Sequence, residues 1–183
     1  MPLEDENGPQ MEPLGPDEEL FLVSKLASLF ELVDAHGLDA APIESGGDTP
    51  EVCDEVVRWW HAQPSESRPE EDDLVWGVAV ATGEVLRTRY HLDWALCDPA
   101  GEPYVALVGR SGPEDDAQSL VVAIIDSISK RFESSPDGFV AEFLDGLDEH
   151  IAPLRRAEDE DPPQSLIDRV NSRMDGGPTN PEE

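Results

Sequence analysis

Residues 73–98 are DLVWGVAVATGEVLRTRYHLDWALCD, and the spacing of apolar residues changes within this stretch, near residue 91. Up to Tyr90 the apolar residues recur every three or four positions, which predicts a helix. From Leu92 onward, Leu92, Trp94 and Leu96 occupy alternate positions, which predicts a strand. The sequence therefore predicts a long helix that leads directly into a β-strand.

Two glycines, Gly77 and Gly83, interrupt the predicted helix. A glycine in a helix interior lowers helix stability by about 1 kcal/mol relative to alanine. One interpretation is that another backbone approaches the helix closely at these two points. The other is that the helix is simply weaker there.

Helices are also predicted on the amino-terminal side of this stretch. The apolar spacing over 17–33 predicts one helix. Thr49 and Pro50 are a typical helix start, with a hydroxyl cap before a first-turn proline, and this second helix extends to about His61.

Two further strands and a helix are predicted on the carboxyl-terminal side. The strands cover 104–109 and 118–125, and the helix begins at Ser135-Pro136 and ends before Pro153. Because the connections between strands are short, antiparallel pairing is expected. The predicted fold class is α+β, with N-terminal helices, a three-stranded antiparallel β-meander and a C-terminal helix packed on the sheet.

Composition divides the chain into three parts. Residues 1–16 are predicted to be a disordered acidic arm, 17–156 a single α+β domain, and 157–183 an acidic, mostly disordered tail. A short helix is predicted over 164–174, because Leu166, Ile167, Val170 and Met174 have amphipathic spacing. This segment either packs back on the domain or serves as a docking motif.

The chain is strongly acidic, with 42 acidic and 12 basic residues and a formal net charge of −30. Such a charge opposes binding to a phosphate backbone, so we expect no nucleic acid partner. It either serves solubility alone or shapes the surface for a basic protein partner. Like charge also opposes self-association, so a monomer or a weak dimer is expected.

No apolar run is long enough to cross a membrane, and the N-terminus lacks the pattern of a secretory signal. We therefore expect a cytoplasmic protein with no membrane partner, in which Cys53 and Cys97 are reduced, buried thiols. No spacing typical of a metal site, a phosphate loop or a nucleophilic serine is present. The sequence accordingly predicts no cofactor, no metal and no catalytic residue.

Glu84 is the carboxylate that stands out, because it lies within the apolar helix directly after Gly83. If it faces inward it needs a partner, since an unpaired buried carboxylate is costly. Arg131 or the Trp94 indole N–H would supply one, and the three residues are predicted to form a polar cluster in the core. The alternative is that Glu84 lies on a solvated helix face, because Arg87 follows three residues later.

Trp59 and Trp60 are adjacent on the second helix and point about 100° apart, so they cannot both face one core equally. An exposed tryptophan on an acidic surface is typical of a binding hot spot. Core packing is the first explanation for both residues. The alternative is that one of them is exposed, which makes Trp59 and Trp60 the candidate partner-binding residues.

A family resemblance also lies in the middle of the chain. Gly83-Glu84 with Leu86, Leu92 with Trp94, the later apolar strand and Ser129-Lys130-Arg131 resemble, in order and spacing, the bacterial domain-of-unknown-function 3806 family. The resemblance covers roughly residues 74–150 and implies an α+β architecture. It implies no activity, so no catalytic residue follows from it.

Three functions are expected to be distinguishable in the structure. The first is a non-enzymatic protein-binding domain, which should expose an apolar patch rimmed by acids. The second, an immunity protein or secretion chaperone for a basic partner, is a specialised form of the first. The third is an enzyme with a site near Glu84, which should have a deep pocket with strongly shifted pKa values; the sequence favours the first two.

Overall fold

The fold is taken from a computed structural model, which describes residues 10–39, 41–44, 50–98, 102–111, 118–151 and 164–175. The elements, in chain order, are β1 (Gln10–Pro13), α1 (Pro16–Ala35), α2 (Ala41–Glu44), α3 (Pro50–Ala62), a 3₁₀ turn (Ser65–Ser67), α4 (Glu71–Tyr90), β2 (Asp93–Asp98), β3 (Tyr104–Ser111), β4 (Gln118–Val122), α5 (Ile124–Phe132), α6 (Val140–Ile151) and α7 (Leu166–Asp175). The mixture of helices with one antiparallel sheet confirms the α+β class.

The sheet has four strands in the order β1-β2-β3-β4, so the prediction of three strands is wrong. The additional strand is β1, whose residues were predicted to belong to the disordered arm. It pairs with β2 in a register that places Met11 opposite Cys97 and Pro13 opposite Ala95. Backbone pairing along an open sheet edge requires little apolar sequence, and an edge strand tolerates proline, so composition alone missed it. Residues 1–9 of the predicted arm lie outside the described residues.

α4 is the central helix, and its side chains are buried on every face from Leu74 to Leu86 except at Trp76. A methyl group on Gly77 would lie 2.8 Å from Leu29 Cβ and 3.1 Å from the backbone oxygen of Lys25, so α1 approaches α4 closely there. At Gly83 the close neighbour is the Trp94 indole of β2 rather than a backbone. The glycines therefore let α4 lie directly against both a helix and the sheet.

The third predicted strand ends earlier than its β-branched sequence indicates. β4 ends at Val122, and α5 begins at Ile124. Ile124, Ile128 and Phe132 are spaced four residues apart and are all fully buried, which is the pattern of one helix face. The helical period of these residues outweighs the strand propensity of the isoleucines.

α6 begins at a carboxylate supplied by another helix. Asp54 of α3 accepts hydrogen bonds from the backbone N–H groups of Phe139 and Val140, both at 2.6 Å, and of Ala141 at 3.2 Å. Gly138 precedes them with a φ of 94°, a conformation that favours glycine. The start of α6 is thereby held against α3, and the main contacts of α6 are with α3 and α4 rather than with the sheet. The prediction that this C-terminal helix packs on the sheet is therefore wrong.

α7 forms within the predicted tail and packs on α1. The Ser165 hydroxyl accepts a hydrogen bond from the Asp168 N–H at 3.1 Å, which caps the start of the helix. Leu166 is fully buried and Val170 is nearly so. The rest of the tail, 157–163 and 176–183, lies outside the described residues.

Candidate functional site

Trp60, one of the two predicted partner-binding residues, is a core residue. Its ring is buried, with an edge contact to Phe132 at 5.0 Å between centroids, and its indole N–H donates to the backbone oxygen of Pro69 at 3.0 Å. The guanidinium of Arg68 covers the ring at 4.6 Å. The prediction that Trp60 contributes to a binding surface is therefore wrong, because residues 63–69 fold back over it.

Trp59 is half-buried. Its ring lies against the imidazole of His36, at 3.6 Å between ring centroids and 31° between planes. His36 is the residue that ends α1. Trp59 thus joins α3 to the end of α1. Less of its ring is available to a partner than was expected from the two adjacent tryptophans in the sequence.

Glu84 and Trp94 meet in a buried polar cluster, here called the Glu84 cluster: Glu84, Arg87, Trp94 and the backbone N–H of Leu166. Glu84 Oε1 accepts from Arg87 Nε at 2.9 Å and from Trp94 Nε1 at 2.8 Å. Its Oε2 accepts from Arg87 Nη2 at 3.3 Å and from the Leu166 N–H at 3.0 Å. With four donors the carboxylate is well satisfied, which suits a structural role.

Arg131 lies outside this cluster, and its predicted place there is corrected. It is exposed on α5, where its Nη1 donates to the Ser127 carbonyl at 2.9 Å and its guanidinium lies 4.7 Å from the Phe143 ring centre. Arg87 takes the predicted place, because residues three apart on a helix lie on one face. The spacing of Glu84 and Arg87 was the available signal. In the sequence this spacing favours a solvated helix face, because such ion pairs are normally exposed to water, but in the structure this face of α4 is buried.

A second buried carboxylate, Glu19 of α1, was not predicted. Its side chain is 3% exposed and forms ion pairs with two arginines of α7, Arg169 at 3.3 Å and Arg173 at 2.6 Å. The sequence signal was the pair Arg169 and Arg173, which are four residues apart in an otherwise acidic tail.

A mainly apolar recess at the surface is here called the Trp76 groove: Trp76, Leu96, Tyr104, Val105, Ile125 and Asp126. It has a volume of about 590 Å³ and lies between the start of α4, strands β2 and β3, and α5. The apolar surface continues onto Phe21, whose ring meets that of Trp76 edge-on at 5.0 Å. Phe21 and Tyr104 are 42% and 37% exposed, which is unusual for aromatic residues.

Among the described residues, Tyr90 and Cys97 have raised pKa values. Burial, together with the hydrogen bond that its hydroxyl donates to Asp148, raises the pKa of Tyr90 to about 12. Burial also raises the pKa of the Cys97 thiol. In both cases the charged, nucleophilic form is disfavoured, which is the opposite of what nucleophilic catalysis requires.

Within the described residues no three His, Cys, Asp or Glu side chains are grouped so that they would hold a metal ion. The helices in that part of the chain include none with the length and hydropathy to span a membrane. Comparison with models of protein families, with curated proteins and with solved structures finds no match. The resemblance to the 3806 family therefore stays a prediction.

Proposed function

We propose that this chain is a non-enzymatic protein-binding domain and that the Trp76 groove is its main binding surface. The observation that carries the proposal is the apolar lining of this groove, with the exposed Tyr104 ring in it and the exposed Phe21 ring in contact with Trp76. Protein interfaces concentrate their binding energy in aromatic residues of this kind. A folded domain rarely exposes two phenylalanine or tyrosine rings beside an apolar groove without a use for them.

The chemistry of the buried groups supports binding rather than catalysis. Glu84 is the carboxylate around which an enzyme site was considered; two of its hydrogen bonds join α4 to β2 and α7, and the other two come from Arg87 of α4 itself. The raised pKa values of Tyr90 and Cys97 keep both groups protonated at neutral pH. Neither residue lines the Trp76 groove.

Charge supports a basic partner. The net charge of −30 attracts cationic proteins over long range and repels acidic ones. Asp126 lies at the groove itself and is exposed, where it pairs with Lys130 of the same helix at 2.6 Å. A cation on the partner would compete with this exposed pair, which contributes little to stability. An immunity protein or a secretion chaperone for a basic protein is the specialised form of this proposal, and charge is the observation that favours it.

The test compares variants at two adjacent exposed residues of α1, Phe21 and Leu20. Phe21→Ser removes an exposed ring that contacts Trp76. Leu20→Ser removes the neighbouring side chain, which is 53% exposed and does not line the Trp76 groove. The native cell lysate is passed over each immobilised protein at low salt. A basic protein should be retained by the unmodified chain and by Leu20→Ser, and lost with Phe21→Ser and with Tyr104→Ser.

Salt and a further variant complete this experiment. Retention should weaken as salt rises, because the attraction between the acidic domain and its partner is screened. Trp59→Ala should retain the partner, since Trp59 lies outside the groove. If Phe21→Ser and Tyr104→Ser both retain every protein that the unmodified chain retains, the Trp76 groove is not the binding surface.

A further inference from the structure

The segment α7 lies on a surface of the domain that differs from the Trp76 groove. The surface is here called the α7 groove: the part of the domain around Glu19 and Glu84 on which α7 lies. α7 buries Leu166 and Val170 there, one turn apart, and its first N–H donates to Glu84 at 3.0 Å. The contacts of α7 therefore show what kind of segment this surface accepts.

The α7 groove selects arginine at two positions. Arg169 and Arg173 lie four residues apart, on one helix face, and both meet the buried carboxylate of Glu19. Arg169 also reaches toward a second carboxylate, with its Nη1 4.0 Å from Asp93 Oδ1. A branched guanidinium contacts two carboxylates at once, whereas a lysine ammonium is a single point charge. The accepted pattern is Leu-x-x-Arg-Val-x-x-Arg on one side of a helix.

α7 does not fill the space available to it. A cavity of about 390 Å³ remains between Arg169, Arg173 and Glu19 on one side and residues of β1, β2 and β3 on the other. The side chain of Arg173 is 51% exposed, so water reaches its guanidinium, whereas Nε and Nη2 of Arg169 are buried. A helix of ten residues is also marginal on its own and depends on its docking site.

An empty α7 groove would be unfavourable. Both ion pairs that Glu19 forms within the described residues come from α7, so departure of α7 leaves a buried carboxylate without its cations. Replacement of α7 by another helix with the same two arginines avoids this cost. The α7 groove is thus better suited to exchanging one basic helix for another than to remaining unoccupied.

We propose that the α7 groove binds a partner protein through an amphipathic helix with arginines four residues apart, and that α7 is the intramolecular occupant which this partner displaces. This goes beyond the function proposed for the Trp76 groove, since it uses a different surface and different residues. The acidic groove rejects helices with carboxylates at the two arginine positions by like-charge repulsion. Binding then depends on the partner competing with α7.

The experiment uses the full chain with a weakened occupant. Arg169→Ala combined with Arg173→Ala removes the ion pairs of α7, and the probe is a fluorescent synthetic peptide of residues 164–175. Peptide binding is followed by fluorescence anisotropy. The double variant should bind the peptide at least about tenfold more tightly than the unmodified chain does, because its own α7 competes less. Adding Glu19→Gln to the double variant should weaken binding by about fivefold.

A matched peptide and a second measurement make the result decisive. The peptide with alanine at both arginine positions should bind neither protein. In the second measurement a dye is placed on Met174→Cys of the otherwise unmodified chain, since Met174 is 72% exposed and both native cysteines are buried. Excess unlabelled peptide should release α7 and lower the anisotropy of the dye, whether or not the double variant folds.

Three outcomes would overturn the proposal. The first is equal binding of the arginine and alanine peptides, and the second is an unchanged dye signal at saturating peptide. The third is a molecular mass of the protein that doubles as its concentration rises and returns to that of the monomer in the Glu19→Gln variant. The last would show that the groove takes α7 from a second copy. Phe21→Ser should leave peptide binding unchanged, so this test and the test of the Trp76 groove fail separately.

Discussion

Glu84 and Glu19 are both buried carboxylates that meet arginine, but their partners are placed differently. Arg87, the partner of Glu84, is on the same helix, and its side chain is 1% exposed. Arg169 and Arg173, the partners of Glu19, are on a peripheral helix and are 24% and 51% exposed. Arg87 cannot reach water when its carboxylate is removed, whereas Arg173 can. The burial of the partner therefore decides what each ion pair contributes to stability.

The largest effect is expected at Glu84. Glu84→Ala takes the anion away from a buried guanidinium and also removes the acceptor for the Trp94 indole and the Leu166 N–H. The free energy of unfolding should fall by about 3–5 kcal/mol, the usual cost of removing one member of a buried ion pair. Urea unfolding followed by tryptophan fluorescence measures this change.

Glu31→Ala is the matched control, because it removes one acidic side chain from an exposed helix face. Its effect should stay within about 0.5 kcal/mol. Glu84→Gln should lie between the two, since it keeps an acceptor for Trp94 but loses the charge. If Glu84→Ala costs no more than Glu31→Ala, the Glu84 cluster does not support the fold.

The sequence predicted the helix–strand unit of 73–98 well, because a long, regular apolar period depends little on the rest of the chain. It also singled out Glu84 and Trp94. It could not decide between Arg87 and Arg131, since that choice depends on which faces of α4 other elements cover. For the same reason, the adjacency of Trp59 and Trp60 on α3 did not tell whether Trp60 was exposed. The strand β1 was missed because backbone groups make its pairing.

An intermediate effect is expected where α4 ends, at Tyr90 and its acceptor Asp148. Asp148 is 36% exposed, so this contact is more open to water than the pair of Glu84 and Arg87. The pKa of Tyr90 is raised from 10.0 to about 12, so the folded state holds the tyrosine proton more tightly than the unfolded state does. Stability from this group is complete below pH 10 and is lost as pH rises to 12. By linkage the loss is about 2–3 kcal/mol.

Tyr90→Phe separates this loss from other alkaline effects, because it removes the titrating group and keeps the ring. Stability of the unmodified chain should fall more steeply than that of Tyr90→Phe between pH 10 and 12, as measured by urea unfolding across that range. Parallel curves for the two proteins would mean that Tyr90 has the same pKa in both states.

The smallest effect is expected at Glu19, and it tests the comparison most directly. Glu19→Gln removes the anion that Arg169 and Arg173 share; the exposed guanidinium of Arg173 can then turn toward water, whereas Nε and Nη2 of Arg169 are buried. We expect the free energy of unfolding to fall by about 1–2 kcal/mol, more than for an ion pair open to solvent and less than for Glu84→Ala. Because α7 is peripheral, the loss is also limited to its docking energy, and the remaining domain unfolds as before. Amide hydrogen exchange should rise in 166–175 while α4 stays protected. A loss equal to that of Glu84→Ala would show that α7 is as integral to the fold as α4. A partner helix could not then displace α7, and the exchange proposed for the α7 groove would be ruled out.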